Sequence, residues 1–187
     1  MRNATIKLVR TAVIAALYAA LTLVLMPSAY GVIQFRISEA LTILPLFCPE
    51  AIVGLTIGCF LANIPSGLWD MFLGALATLV AATLTRVSRK WYFGIIPPVV
   101  VNAFAVPLII ILGAGGLDTT YFACVLTVGL EQLVSVCALG IPLYFGLDKL
   151  NRRYALFGDF KSKNVSAITE VAAQTESENK KESDKEE

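Results

Sequence analysis

The chain has 187 residues, 57% of them hydrophobic and 16% charged, against about 45–50% apolar and 25% charged in soluble domains. That balance excludes an ordinary soluble globular domain and points to an all-α integral membrane protein. The formal net charge of +1 hides two unlike parts: residues up to Phe157 hold ten basic and six acidic side chains, those from Gly158 onward five and eight.

Arg2, Lys7 and Arg10 precede an uncharged run from Thr11 to Met26, which reads as a first transmembrane helix because further spans follow. Its basic start places the N-terminus in the cytoplasm. Ala12, Ala15, Ala16, Ala19 and Ala20 make one face of this helix nearly flat, and in lipid small faces let helix backbones approach closely. Spacing alone leaves open whether that face packs inside the bundle or docks on another protein. Pro27 to Gly31 breaks the helix outside the cell, with Tyr30 and Phe35 suited to the interface or a lid.

Ile37–Cys48 and Ala51–Ile64 follow, interrupted by Pro45, Pro49 and Glu50. Each is short, since a 30 Å core takes about 20 helical residues, so they form either one kinked helix or a hairpin. Arg86, Arg89 and Lys90 belong on the cytoplasmic side, which requires the hairpin. Gly54, Gly58 and Ala62 give its second arm a seam for close packing. Asn63 to Asp70 is then an external loop with Pro65, Gly67 and an interfacial Trp69.

Met71–Thr85 descends with Gly74, Thr78 and Ala82 on one face. The next helix, Tyr92–Leu112, contains Pro97, Pro98 and Pro107 and should kink. Gly113 to Asp118 turns outside, and Tyr121–Leu147 descends to Lys149, Arg152 and Arg153. The expectation is a six-transmembrane-helix bundle over residues 1–157 with both termini cytoplasmic, then a disordered, charged cytoplasmic tail over 158–187.

An ionised side chain within the bilayer costs about 2.5–3.5 kcal/mol on insertion scales, so it persists mainly when paired, solvated or liganded. Arg36 and Glu39 open the second helix, Asn63 closes the third, Asp70 opens the fourth and Asn102 lies near the middle of the fifth. Glu131 is about 15 Å below Tyr121 at 1.5 Å per residue, with Gln132 beside it. Nearly all of these fall in the outer half, which predicts an outward-facing polar cavity flanked by Tyr30, Phe35, Trp69 and Tyr121. Carboxylates, amides and aromatic faces together suit a small, flat, donor-rich or partly cationic ligand. The alternatives are that Arg36 and Glu39 simply pair at i,i+3 and that Glu131 joins helices.

No histidine is present, and Cys48, Cys59, Cys124 and Cys137 stand singly in apolar runs, so no metal site or cysteine–histidine catalysis is expected. No phosphate-binding Gly-x-x-x-x-Gly-Lys-Ser/Thr loop occurs, so energy for uptake must come from a gradient or another subunit. An enzyme using Glu131 with Glu39 or Asp70 as acid and base is the weakest reading, because no nucleophile or metal pattern supports it. A stand-alone gradient-driven transporter of a small heterocycle is the stronger rival.

Gln34-Phe35-Arg36-Ile37-Ser38-Glu39-Ala40-Leu41, followed by Gly54-Leu-Thr-Ile-Gly-Cys-Phe-Leu-Ala-Asn63, resembles the QueT family of substrate-binding S components of energy-coupling factor (ECF) transporters. The likeness covers about residues 5–157. It implies a six-helix subunit of the bacterial cytoplasmic membrane that captures a queuosine precursor, such as 7-aminomethyl-7-deazaguanine or queuine, without a cofactor of its own. Its implied partners are a transmembrane T component and two ATPases that use the ATP; no nucleic acid is involved. The resemblance further implies an Ala-x-x-x-Ala contact to the T component, which both Ala12/Ala16/Ala20 and Ala15/Ala19 fit. It also implies a gating loop after the first helix, carrying Tyr30, Gln34 and Phe35. Substrate binding falls to Arg36, Glu39, Asn63, Trp69, Asp70, Asn102, Glu131 and Gln132.

Overall fold

A computed structural model describes residues 2–24, 36–88, 91–114 and 121–154. Tyr30, Gln34, Phe35, Asp118 and the tail from Gly158 onward lie outside the described residues. The chain divides into two units, Met1–Lys149 and Leu150–Glu187; of the second, only the helical residues 150–154 are described. The account below concerns the first unit.

All described secondary structure is helical: α1 (Arg2–Val24), a 3-10 helix (Ile37–Leu46), α2 (Glu50–Ala62), α3 (Ala75–Val87), α4 (Ile96–Ala114), α5 (Tyr121–Ser135) and α6 (Ile141–Tyr154). A π-helical turn, Asp70–Gly74, leads into α3, and another, Val136–Gly140, joins α5 to α6. By length and composition three stretches could cross a membrane: Ala4–Val24, Asp70–Val87 and Tyr121–Arg153. Ile37–Leu46, Glu50–Ala62 and Ile96–Leu112 are shorter apolar helices.

The helices alternate in direction, as the contacts at one end show. Lys7 Nζ lies 4.0 Å from Glu50 Oε1, setting the start of α1 beside the start of α2. Arg86, near the end of α3, donates to the carbonyls of Pro45 and Leu46 at 3.2 Å, capping the 3-10 helix. Trp91 stacks on Tyr144 at 5.5 Å, and Phe47 packs on the other ring at 5.2 Å. The hairpin expected of Ile37–Cys48 and Ala51–Ile64 is therefore present, tightened around Pro49.

Three local windings differ from expectation. The first arm of the hairpin is a 3-10 helix, not an α-helix. Thr42 donates its hydroxyl to the Glu39 carbonyl at 2.6 Å, and Pro45 has no N–H to offer the turn before it. Three residues per turn stacks Arg36, Glu39 and Thr42 in one row, and ten residues reach about 20 Å rather than about 15 Å. The helix expected from Tyr92 begins at Ile96, with Pro97 and Pro98 in its first turn, where a missing N–H costs nothing. The span from Tyr121 opens into its π turn just before Pro142, whose nitrogen cannot bond back to Ala138.

The glycine seam sets a close crossing of α1 and α2. A Cβ at Gly58 would lie 2.8 Å from the Ala15 carbonyl oxygen and 2.8 Å from Tyr18 Cβ; one at Gly54 would lie 2.9 Å from the Thr11 carbonyl oxygen. Only glycine admits backbones at this distance. On this seam Ala15 is buried and Ala19 half-buried, whereas Ala12, Ala16 and Ala20 are exposed.

Candidate functional site

The crossing brings Tyr18, otherwise lost in an apolar run, to the start of the 3-10 helix. Tyr18 is fully buried, and a buried phenol needs an acceptor. It donates to Glu39 Oε1 at 3.0 Å, and Asn102 Nδ2 from α4 donates to Glu39 Oε2 at 3.2 Å. Each oxygen of a carboxylate that is only 3% exposed thus has a donor from a different helix, which offsets part of the cost of burying it.

The residues around Glu39 are fixed in the same way. Thr22 donates to Ser38 Oγ at 2.7 Å, and Ser135 donates to the Arg36 carbonyl at 3.0 Å. Arg36 is buried, and its guanidinium acts electrostatically on both Glu39 and Asp70. The stretch Arg36–Glu39 is held from α1, α4 and the end of α5, as a preorganised polar element requires.

A hollow opens beside it, lined by Arg36, Glu39 and Asp70 on one side and by Asn102, Val106, Ile109, Val128 and Gln132 on the other. Helical periodicity explains the second wall, since Asn102, Val106 and Ile109 share one face of α4, and Val128 and Gln132 one face of α5. Gly74, Ala77, Thr78 and Cys59 complete it. Thr78 donates to the Gly74 carbonyl at 3.0 Å, so its hydroxyl oxygen is left as an acceptor. The enclosed volume is about 20 Å³, room for a water or so and not for a heterocycle, since one water needs roughly 10–15 Å³.

Of the residues expected at the site, Arg36, Glu39, Asp70, Asn102 and Gln132 meet at the hollow. Asn63 stands behind it: its Nδ2 donates to the Asp70 carbonyl at 3.2 Å and to Cys59 Sγ at 3.4 Å, and would be 2.7 Å from a Cβ at Gly74. Trp69 is 55% exposed and is not on the wall. Glu131 is half-buried and also off the wall; one residue turns a helix by about 100°, so when Gln132 faces the hollow Glu131 does not. Tyr121 sits away from it, donating to the Phe104 carbonyl at 3.4 Å. Tyr18, Cys59 and Thr78 were not foreseen. A mid-span phenol was the available signal for Tyr18 and the small-residue face shared with Gly74 and Ala82 the one for Thr78; nothing in sequence set Cys59 apart as a site residue.

An apolar helical bundle with a charged, amide-lined hollow among its helices defines a membrane protein. The chain belongs to the QueT transporter family, whose model matches residues 8–149. It is 41% identical over 86 residues to the queuosine precursor transporter QueT of Lactococcus lactis subsp. cremoris, a match covering 44% of this chain and 51% of that protein. The chain thus spans about half the length of the curated relative. Both names are those of transporters, not enzymes. No solved structure matches the chain.

Proposed function

We propose that this chain is the substrate-capture subunit of an ATP-driven ECF importer in the bacterial cytoplasmic membrane, binding a queuosine precursor from outside and releasing it inside. The observation that carries the reading is the hollow itself: two carboxylates and a guanidinium face two amides and apolar side chains of α4 and α5. A deazaguanine has the matching chemistry, with adjacent N–H donors on one edge, a flat apolar face and, in the aminomethyl form, a cation. Glu39 and Asp70 are the acceptors for those donors and that charge.

In this reading all six helices cross the bilayer and both termini are cytoplasmic. The extended 3-10 winding favours it, by lengthening the shortest span to about 20 Å. The exposed Ala12, Ala16 and Ala20 face of α1 is the surface for a T component, and two ATPases supply the energy. The connection holding Tyr30, Gln34 and Phe35 acts as the gate. Asn63 supports Asp70 from behind, while Trp69 and Glu131 contribute outside the first layer around the ligand.

Isothermal titration of the purified chain with 7-aminomethyl-7-deazaguanine should show binding without ATP, and Glu39→Gln should weaken it at least tenfold. Uptake in vesicles should require the T component and ATPases. Gradient-driven uptake by this chain alone would reject the coupling, and unchanged binding by Glu39→Gln would reject the site.

A further inference from the structure

Among the described residues, one buried side-chain polar atom on the wall of the hollow has no hydrogen bond. Gln132 is 5% exposed, and its Oε1 has no hydrogen-bond partner among the described residues. Asn63 Oδ1 and Ser66 Oγ are also unpartnered, but neither residue lines the hollow. Glu39 differs, since both of its oxygens already accept. A buried acceptor left empty keeps its full desolvation cost, so a ligand N–H that reaches Gln132 gains more than one meeting an already satisfied group.

We infer that Gln132 is a specificity-determining residue that accepts a neutral N–H from the ligand, and that on a deazaguanine this donor is the exocyclic 2-amino group. The inference rests on the proposed substrate class and extends it. Charge-assisted hydrogen bonds are the stronger kind, so the carboxylates at the hollow take an aminomethyl cation or the paired ring N–H and amino N–H. A carboxylate that accepts that pair engages only one of the two amino hydrogens. The other needs its own acceptor, and an uncharged amide oxygen supplies one without adding further negative charge to a buried hollow that already holds Glu39 and Asp70.

The test is a cycle between protein and ligand. Wild-type and Gln132→Met chains are titrated with 7-aminomethyl-7-deazaguanine and with its analogue lacking the 2-amino group. Gln132→Met should lower affinity for the first ligand by about tenfold or more and for the second by less than about twofold, giving a clear coupling. Gln132→Glu, which retains an acceptor, should keep the preference for the 2-amino ligand. Equal losses with both ligands, no loss with the first, or loss of preference in Gln132→Glu would each overturn the assignment. A wild-type chain that binds neither ligand would instead overturn the substrate class, so the two failures are distinguishable.

Discussion

Gly58→Ala tests whether the crossing of α1 and α2 builds the site. The added Cβ would lie 2.8 Å from the Ala15 carbonyl oxygen, against 3.4 Å for ordinary contact, a shortfall of 3.4 less 2.8, or 0.6 Å. The obstacle is backbone, so α1 itself must move. Tyr18, less than one turn on from Ala15, donates to Glu39 at 3.0 Å; a 0.6 Å retreat stretches that bond to about 3.6 Å, beyond hydrogen-bond range. Overpacking costs about 1–3 kcal/mol, and a weakened bond to a charged group adds a comparable amount. The expected outcome is a lower unfolding temperature together with about tenfold weaker deazaguanine binding by titration. Gly146→Ala is the control: a Cβ there meets nothing within 4 Å, so the change should be neutral or stabilising by up to about 1 kcal/mol. Gly58→Ala with unchanged stability and affinity would refute the link between the seam and Glu39.

Tyr18→Phe and Asn102→Leu each remove one donor from Glu39 and should each weaken binding about tenfold; in a cycle with Glu39→Gln they should be strongly non-additive. Glu131→Gln should leave affinity within about twofold, since Glu131 is off the wall of the hollow; a large loss by titration would return it to the site. Ala16→Trp should bind ligand normally in detergent yet fail in uptake with the partner subunits, and normal uptake would show that the exposed alanine face carries no partner. Arg86→Ala leaves the Pro45 and Leu46 carbonyls short of a donor and should destabilise the protein by about 1–3 kcal/mol, read by thermal unfolding, with ligand affinity little changed.

Charge placement and small-residue spacing carried much of the fold into the sequence. The basic residues around Arg86 required a hairpin, and Gly54 and Gly58 marked the seam that the structure shows. The Gly74, Thr78 and Ala82 face of α3 is turned inward, with Thr78 and Ala82 buried. Arg36 and Glu39 were legible because charges in apolar runs are conspicuous. What escaped depends on rotation and on partners distant in sequence. Gln132 and Glu131 differ by one helical step, and only the packing of α5 on its neighbours decides which faces inward. Tyr18 looked like part of an apolar run because its acceptor is 21 residues away. Local winding was also opaque: the 3-10 arm depends on a threonine hydroxyl and Pro45 acting together.

That winding sets both the reach of the hairpin's first arm and the direction in which Glu39 points. A 3-10 helix advances about 120° per residue and an α-helix about 100°, so rewinding the arm would turn Glu39 about 60° relative to Arg36 and shorten ten residues by about 5 Å. Such a rotation would pull the carboxylate away from Tyr18 and Asn102 together. The two hydrogen bonds on the Glu39 carboxylate thus depend on the pitch of a single short helix.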